Sequence, residues 1–186
     1  MRVIGGFFKS RKLFFPKTFQ TRPVTDRAKE TIFNVLGTQC KESSVLDLFA
    51  GSGSLGLEAL SRGAQDVCFV DFAKLAVDCI RRNLKSLALE PLADVLKLPV
   101  LEAIRKLERK QRKFSLIFVD PPHNKGLIKK VLQHLDRSGI VTPFGIVVVG
   151  HSNHEGLPNN LVTLKHERSI EIGQTFISFV KRVGSP

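Results

Sequence analysis

The chain has 186 residues, 42% of them apolar, which is enough to bury one good core and too apolar for a disordered segment. Twenty-nine lysines and arginines against 17 acidic residues leave a net charge of +12, which points to a polyanionic partner. No apolar run approaches the roughly 20 residues needed to cross a bilayer, so a membrane partner is not expected.

The opening MRVIGGFFKSRKLFF is broken by Lys9, Arg11 and Lys12 and has no small-residue cleavage site after it, so it is not expected to be a secretory signal. Residues 1–20 read as a two-stranded opening, with Gly5-Gly6 as turn or bulge. Basic residues crowd here: Arg2, Lys9, Arg11, Lys12, Lys17, Arg22, Arg27 and Lys29 meet only Asp26 and Glu30. The cations read as phosphate contacts of an RNA-gripping extension. Phe7, Phe8, Phe14, Phe15 and Phe19 are interleaved with them. They could stack on unpaired bases, but the preferred reading is the buried face of a small hairpin. Thr25 is placed to cap a helix running to Leu36, with Gly37 as its stop and Ala28, Ile32, Val35 and Leu36 as its core face.

Strand and helix then alternate: 44–49 and 54–62, 66–70 and 73–87, 94–97 and 100–110, 115–119 and 126–137, then a strand at 144–149. Such alternation predicts right-handed crossovers and a mainly parallel sheet covered on both faces. Two runs in the tail, 161–170 and 175–180, flank Gly173 and should pair as a hairpin. The expected organisation is a single α/β domain over 1–186, with 1–43 as an extension and 44–186 as the core. A second basic cluster (Arg105, Lys106, Arg109, Lys110, Arg112 and Lys113) reads as a solvated helix end. Cys40, Cys68 and Cys79 match no zinc or redox spacing and suit a reducing, cytoplasmic setting. His151 and His154 form H-x-x-H without a third ligand, so no metal is expected.

Two motifs carry the chemistry. VLDLFAGSGSLGLEAL (residues 45–60) reads as buried strand, glycine turn and helix. Gly51 and Gly53 permit a sharp turn close to a ligand, Gly56 lets the helix press on the sheet, and Asp71 ends the next strand at a spacing suited to ribose hydroxyls. The glycines alone also fit a structural turn. Asp47, placed before them, would repel pyrophosphate but suit a cation, which favours S-adenosylmethionine over NAD.

The second motif is FSLIFVDPPH (residues 114–123). Its strand should end at the ligand side of the sheet. Two prolines then leave Asp120 and the Pro121 carbonyl as rigid acceptors for a planar exocyclic amine, with His123 as a stacking plate.

With these motifs and RVIGGFFKSRKL, TRPVTDRAKETIFNVL and the closing GQTFISF, the chain resembles the RsmD family of bacterial 16S ribosomal RNA guanine-N2 methyltransferases over nearly its whole length. The resemblance implies a Rossmann-like, seven-stranded S-adenosylmethionine-dependent methyltransferase fold, mainly parallel with its last strand antiparallel. It places Asp47, Gly51, Gly53 and Asp71, with Phe49 and Phe72 beside them, at the cofactor. Asp120 and Pro121, with His123, fall at the target amine, and Arg22 and Arg27 near the mouth of the site. The implied partner is 16S rRNA in the small ribosomal subunit, and the protein is expected to be a monomer.

This chain departs from the family pattern at His123, where Tyr or Phe is usual. It also differs at residues 96–100, which lack an acid, and at Gly150-His151, where Glu is frequent. A methyltransferase acting on another amine and a non-catalytic RNA-binding relative remain the alternatives, with a nicotinamide enzyme third.

Overall fold

The computed structural model describes residues 1–15, 24–122 and 126–184; Lys17, Phe19, Arg22 and His123 lie outside them. Helix α1 (Asp26–Leu36) starts where the Thr25 hydroxyl accepts from the Ala28 amide at 3.1 Å, and it stops at Gly37 with φ +52°. There follow β1 (Ser44–Leu48), α2 (Ser54–Ser61), β2 (Asp66–Asp71), α3 (Lys74–Leu87), β3 (Ala93–Lys97), α4 (Val100–Arg109), β4 (Phe114–Val119) and α5 (Leu127–Arg137). Three long strands close the fold: β5 (Val141–Ser152), β6 (Leu164–Ile172) and β7 (Thr175–Arg182).

The seven strands lie in the order β3-β2-β1-β4-β5-β7-β6. The first five are mutually parallel, and β7 runs antiparallel to both β5 and β6. Chain order reverses between β1 and β4, the position where ligands gather in doubly wound sheets. Successive strand side chains alternate between two cores. Val45, Phe69, Phe118, Val148 and Phe179 pack beneath Ile32 of α1, Leu57 of α2 and Ile80 of α3. On the other face, Leu46, Cys68, Ile117, Val149 and Val180 pack with Ile104 of α4 and Leu132 of α5. Among the described residues no helix is long and apolar enough to cross a membrane.

The opening folds back on itself as a short hairpin: the Val3 amide donates to the Arg11 carbonyl at 3.0 Å, the Ser10 amide to the Val3 carbonyl at 2.9 Å and the Leu13 amide to the Met1 carbonyl at 3.1 Å. Among the described residues its strand pairing is a single antiparallel bridge, Arg2 to Lys12. Its buried anchors are Val3 and Leu13, while Phe7 is 88% exposed and Phe14 39%. Its turn finds further backbone partners on α2. The amides of Ile4 and Gly5 each donate to the Glu58 carboxylate at 2.8 Å, and the Phe7 amide donates to the Ser61 carbonyl at 2.7 Å. A Cβ at Gly6 would lie 1.8 Å from that carbonyl oxygen, so the arm docks only with a glycine there.

Strand β5 begins three residues earlier than the sequence pattern indicates. A register shift against β4 and a positive φ of 61° at Phe144 mark a bulge, which leaves that ring 66% exposed and breaks the apolar run. All three cysteines are buried and free, and burial pushes their thiols up, to about 11 for Cys40 and Cys79 and to about 12 for Cys68. In the second basic cluster, Arg112 is tied internally, at 2.9 Å to Asp66 and 2.8 Å to Asp94.

Candidate active site

The turn after β1 is built by backbone conformations that ordinary residues avoid. Phe49 sits at φ +60°, which costs a non-glycine residue roughly 1–2 kcal/mol. Gly51 and Gly53 follow at +56° and +78°. At Gly56 an added Cβ would lie 2.3 Å from Phe69 Cε1, so α2 presses on β2 through bare backbone. At Gly53 it would meet Ile80 at 3.1 Å and Phe69 at 3.2 Å. At Gly51 the nearest atom would be the Phe49 carbonyl oxygen at 4.0 Å, so this part of the turn is open for a ligand to approach.

Three carboxylates stand at the carboxyl ends of neighbouring strands. Asp47, on β1, is 2% exposed, and its Oδ2 accepts from the Gly56 amide at 2.9 Å, inside the first turn of α2. Burial raises its carboxyl to about 7; the Gly56 bond opposes this, and the nearby Asp120 and Asp71 charges add to it. Asp71, the last residue of β2, bridges two turns: Oδ2 accepts from the Gly51 amide and Oδ1 from the Ala73 amide, both at 2.9 Å. Phe72 beside it is 67% exposed.

Asp120 follows β4, the strand paired with β1. Its carboxylate lies against Gly150 of β5, where an added Cβ would be 2.4 Å from Oδ1. That contact gives a physical reason for glycine at this strand end. Pro121 is buried beside Asp120. The fold therefore brings together Asp47, Phe49, Gly51, Gly53, Asp71, Phe72, Asp120 and Pro121. A buried acid, a fixed second acid, an exposed ring and an open glycine suit a ligand with a cation, a diol and a planar base, as S-adenosylmethionine has.

His151 belongs to a different arrangement. Its Nε2 is 2.7 Å from Ser178 Oγ, its Nδ1 is 3.0 Å from the Ser152 carbonyl, and its ring stacks on Phe176.

The arm's cations divide. Lys9, Arg11, Lys12 and Arg27 are exposed. Arg2 is exposed too, but it pairs with Asp26 at 3.0 Å. Lys29, which the composition groups with them, is fully buried. It donates to the Arg2 carbonyl and lies 3.7 Å from both Glu58 and Asp26, and burial lowers its pKa. A groove of about 430 Å³ runs between arm and α1, with Met1, Lys12, Phe15 and Thr25 on its walls.

Sequence reasoning missed Lys29, Glu58 and Asn83. Lys29 shares the helical face of Ile32, Phe33 and Leu36, a spacing that marks it as inward-facing. Asn83 sits in the same way between Ile80 and Leu84.

A doubly wound sheet with an antiparallel β7, a glycine turn at the switch point and carboxylates on the flanking strands is the fold of S-adenosylmethionine-dependent methyltransferases. A putative methyltransferase from Escherichia coli, yhhF, matches it with a TM-score of 0.87 at 29% identity, covering 100% of this chain and 99% of that one. An RNA methyltransferase from Salinibacter ruber, solved with S-adenosyl-L-homocysteine, shares the fold with a TM-score of 0.67 at 12% identity, covering 89% of this chain and 96% of that one.

In sequence, the chain is 36% identical to the putative rRNA methyltransferase YlbH of Bacillus subtilis, over 99% of this chain and 100% of that protein. It is 34% identical to ribosomal RNA small subunit methyltransferase D of Escherichia coli, over 85% of this chain and 78% of that protein. The family described as conserved hypothetical protein 95 matches residues 1–181. The chain belongs to that family, which is the RsmD family its motifs resemble.

Proposed function

We propose that this protein is an S-adenosylmethionine-dependent methyltransferase that modifies the exocyclic N2 amine of a guanine in 16S rRNA of the small ribosomal subunit. The observation that carries the reading is the placement of Asp120-Pro121 beside the carboxylates of the glycine turn, at the ends of paired strands. The names of the family relatives, rRNA methyltransferases from Bacillus subtilis and Escherichia coli, support the substrate class.

When bound, S-adenosylmethionine supplies a methyl group already activated on a sulfonium. The protein's part is to hold and orient. Asp47 meets the positively charged methionyl end. Asp71, held by the Gly51 and Ala73 amides, receives the ribose hydroxyls, and Phe72 offers its ring to the base.

The target guanine must leave its stack to enter the site. The Asp120 carboxylate and the Pro121 carbonyl then accept the two amine hydrogens, which turns the nitrogen lone pair toward the methyl. His123 serves as the stacking plate. Holding both reactants in line removes most of the barrier's entropic part. Asp120 also stabilises the positive charge that develops on nitrogen. The methylated amine is acidic and releases its proton late, so a strong base is not needed. Lys9, Arg11, Lys12, Arg22 and Arg27 track RNA phosphates, with Arg2 contributing less while paired to Asp26. The reading includes a monomeric, metal-independent enzyme working in the cytoplasm, with residues 1–43 as an RNA-binding extension of one domain.

The test is transfer of labelled methyl to small ribosomal subunits lacking the modification, followed by nucleoside analysis. Label in N2-methylguanosine is expected. Label in another base or in protein would assign a different acceptor. No transfer by a folded chain that still binds S-adenosylhomocysteine would mark a non-catalytic relative.

A further inference from the structure

One buried side chain joins the arm to the glycine turn. Asn83 of α3 is 1% exposed and makes three hydrogen bonds that reach other parts of the fold. Its Oδ1 accepts from the Phe14 amide at 2.7 Å, and its Nδ2 donates to the Phe14 carbonyl and to the Ser52 carbonyl, both at 3.1 Å. The partners fix the orientation of the amide: an N–H must face the oxygen, and two carbonyls must face the nitrogen.

Ser52 lies between Gly51 and Gly53. It is held a second time from the arm, because its hydroxyl donates to Met1 Sδ at 3.2 Å. The Phe14 ring is pinned in turn under the Arg82 guanidinium, 3.9 Å from its centroid. Both ends of the described arm thus bear on the residue at the centre of the cofactor turn, and the exposed Lys9, Arg11 and Lys12 lie between those ends.

We propose that Asn83 is a positioning residue that couples RNA binding on the arm to cofactor binding at the glycine turn. The inference rests on the function proposed above and adds a regulatory relationship to it. With the arm docked, the buried Ser52 carbonyl and both polar groups of Phe14 are satisfied by one amide. If the arm lifts, Asn83 loses two of its three bonds, and the turn loses its Met1 contact. RNA that binds the docked arm therefore favours the ordered turn, and a cofactor that orders the turn favours the docked arm. The linkage is reciprocal.

The test is calorimetric titration of the full chain with S-adenosylhomocysteine, alone and saturated with a 16S rRNA transcript. RNA is expected to tighten S-adenosylhomocysteine binding about 5- to 20-fold in the unmodified protein. In Asn83→Asp, which keeps the acceptor for the Phe14 amide and loses both donors, the gain should fall below about twofold. A purely structural Asn83 would lower the melting temperature and both affinities while leaving the gain intact, and that result overturns the proposal. So does an unmodified protein that binds both ligands without any gain. Failure to bind S-adenosylhomocysteine at all, with or without RNA, would refute the methyltransferase reading itself. Hydrogen exchange on the unmodified chain gives a readout independent of any variant's folding. RNA alone should slow exchange at the Gly51 and Gly53 amides several-fold, and unchanged exchange there overturns the coupling.

Discussion

The Asp120 carboxylate occupies the space that a side chain on Gly150 would need, with only 2.4 Å between Oδ1 and an ideal Cβ at that position. The end of β5 therefore sets the position of the group assigned to the target amine. Gly150→Ala must push that carboxylate aside, and displacements of about an ångström in a reacting pair cost on the order of 100-fold in rate. Methyl transfer should fall by about that factor, while S-adenosylhomocysteine affinity and melting temperature change little. Equal loss of affinity would show that the strand end supports the whole cleft instead.

Gly56 makes a comparable contact in the core. Its missing Cβ would sit 2.3 Å from Phe69 Cε1 and 2.9 Å from Val67 Cγ1. Gly56→Ala overpacks that contact and should cost about 1–3 kcal/mol in urea unfolding. Adding Phe69→Leu should return part of the loss, which a double-mutant cycle measures.

Asp47 makes stability depend on pH. Its carboxyl titrates near 7 in the fold against 3.8 ordinarily, because burial disfavours the charged form. Between those values the folded chain holds a proton that the unfolded chain has released, so stability falls as pH rises through the window, by up to about 1.4 kcal/mol per pH unit. Below about pH 4 both states are protonated and the penalty vanishes; above pH 7 it is fully present. Asp47→Asn keeps an acceptor for the Gly56 amide and should remove this slope. It should stabilise the ligand-free protein at pH 8 by on the order of 2–4 kcal/mol and weaken S-adenosylhomocysteine binding tenfold or more. Denaturant titrations at pH 5 and 8 check the first part, and calorimetry the second.

Glu58 locks the arm. It is fully buried and receives the Ile4 and Gly5 amides and Arg62 Nε at 2.9 Å, with Lys29 at 3.7 Å. Glu58→Ala removes one of the two carboxylates facing the buried Lys29 and the acceptor for two arm amides, and should cost about 3–5 kcal/mol. Trypsin should then cut at Lys9, Arg11 and Lys12 several-fold faster than in the unmodified protein.

The exposed cations should differ from the paired one in salt dependence. Lys9→Ala and Arg11→Ala should each flatten the plot of log affinity for rRNA against log salt by roughly 0.7–0.9. Arg2→Ala should change it less, since Asp26 already holds that guanidinium at 3.0 Å.

Much of the site is written locally in the chain. The turn is legible because Gly51 and Gly53 follow a run of strand residues and precede a helical face, on which Gly56 lies. Asp71 and Asp120 are legible because they end such runs, and Asp47 because it interrupts one near its carboxyl end. The arm was harder to read. Five phenylalanines among cations suggest a hairpin face, but the inward anchors are Val3 and Leu13, and the groups that hold the backbone (Glu58, Ser61 and Asn83) lie 53 to 69 residues along the chain. No local period encodes such a partner. The contact of Gly150 with Asp120 depends on the register of β5 against β4, which a bulge near Phe144 sets and which spacing alone does not reveal.

The docking of the arm also bears on synthesis. Its first lock, Glu58, follows Gly5 by 53 residues, and its last, Asn83, follows Phe14 by 69. At translation rates of about 5–20 residues per second, the arm waits roughly 3–14 seconds for that last partner. Until α2 is made, the Ile4, Gly5 and Phe7 amides lack their partners, and the Phe14 backbone lacks its own until Asn83 follows. The segment made early thus waits for partners that come from two later helices, and all of them exist before β3 to β7 are made.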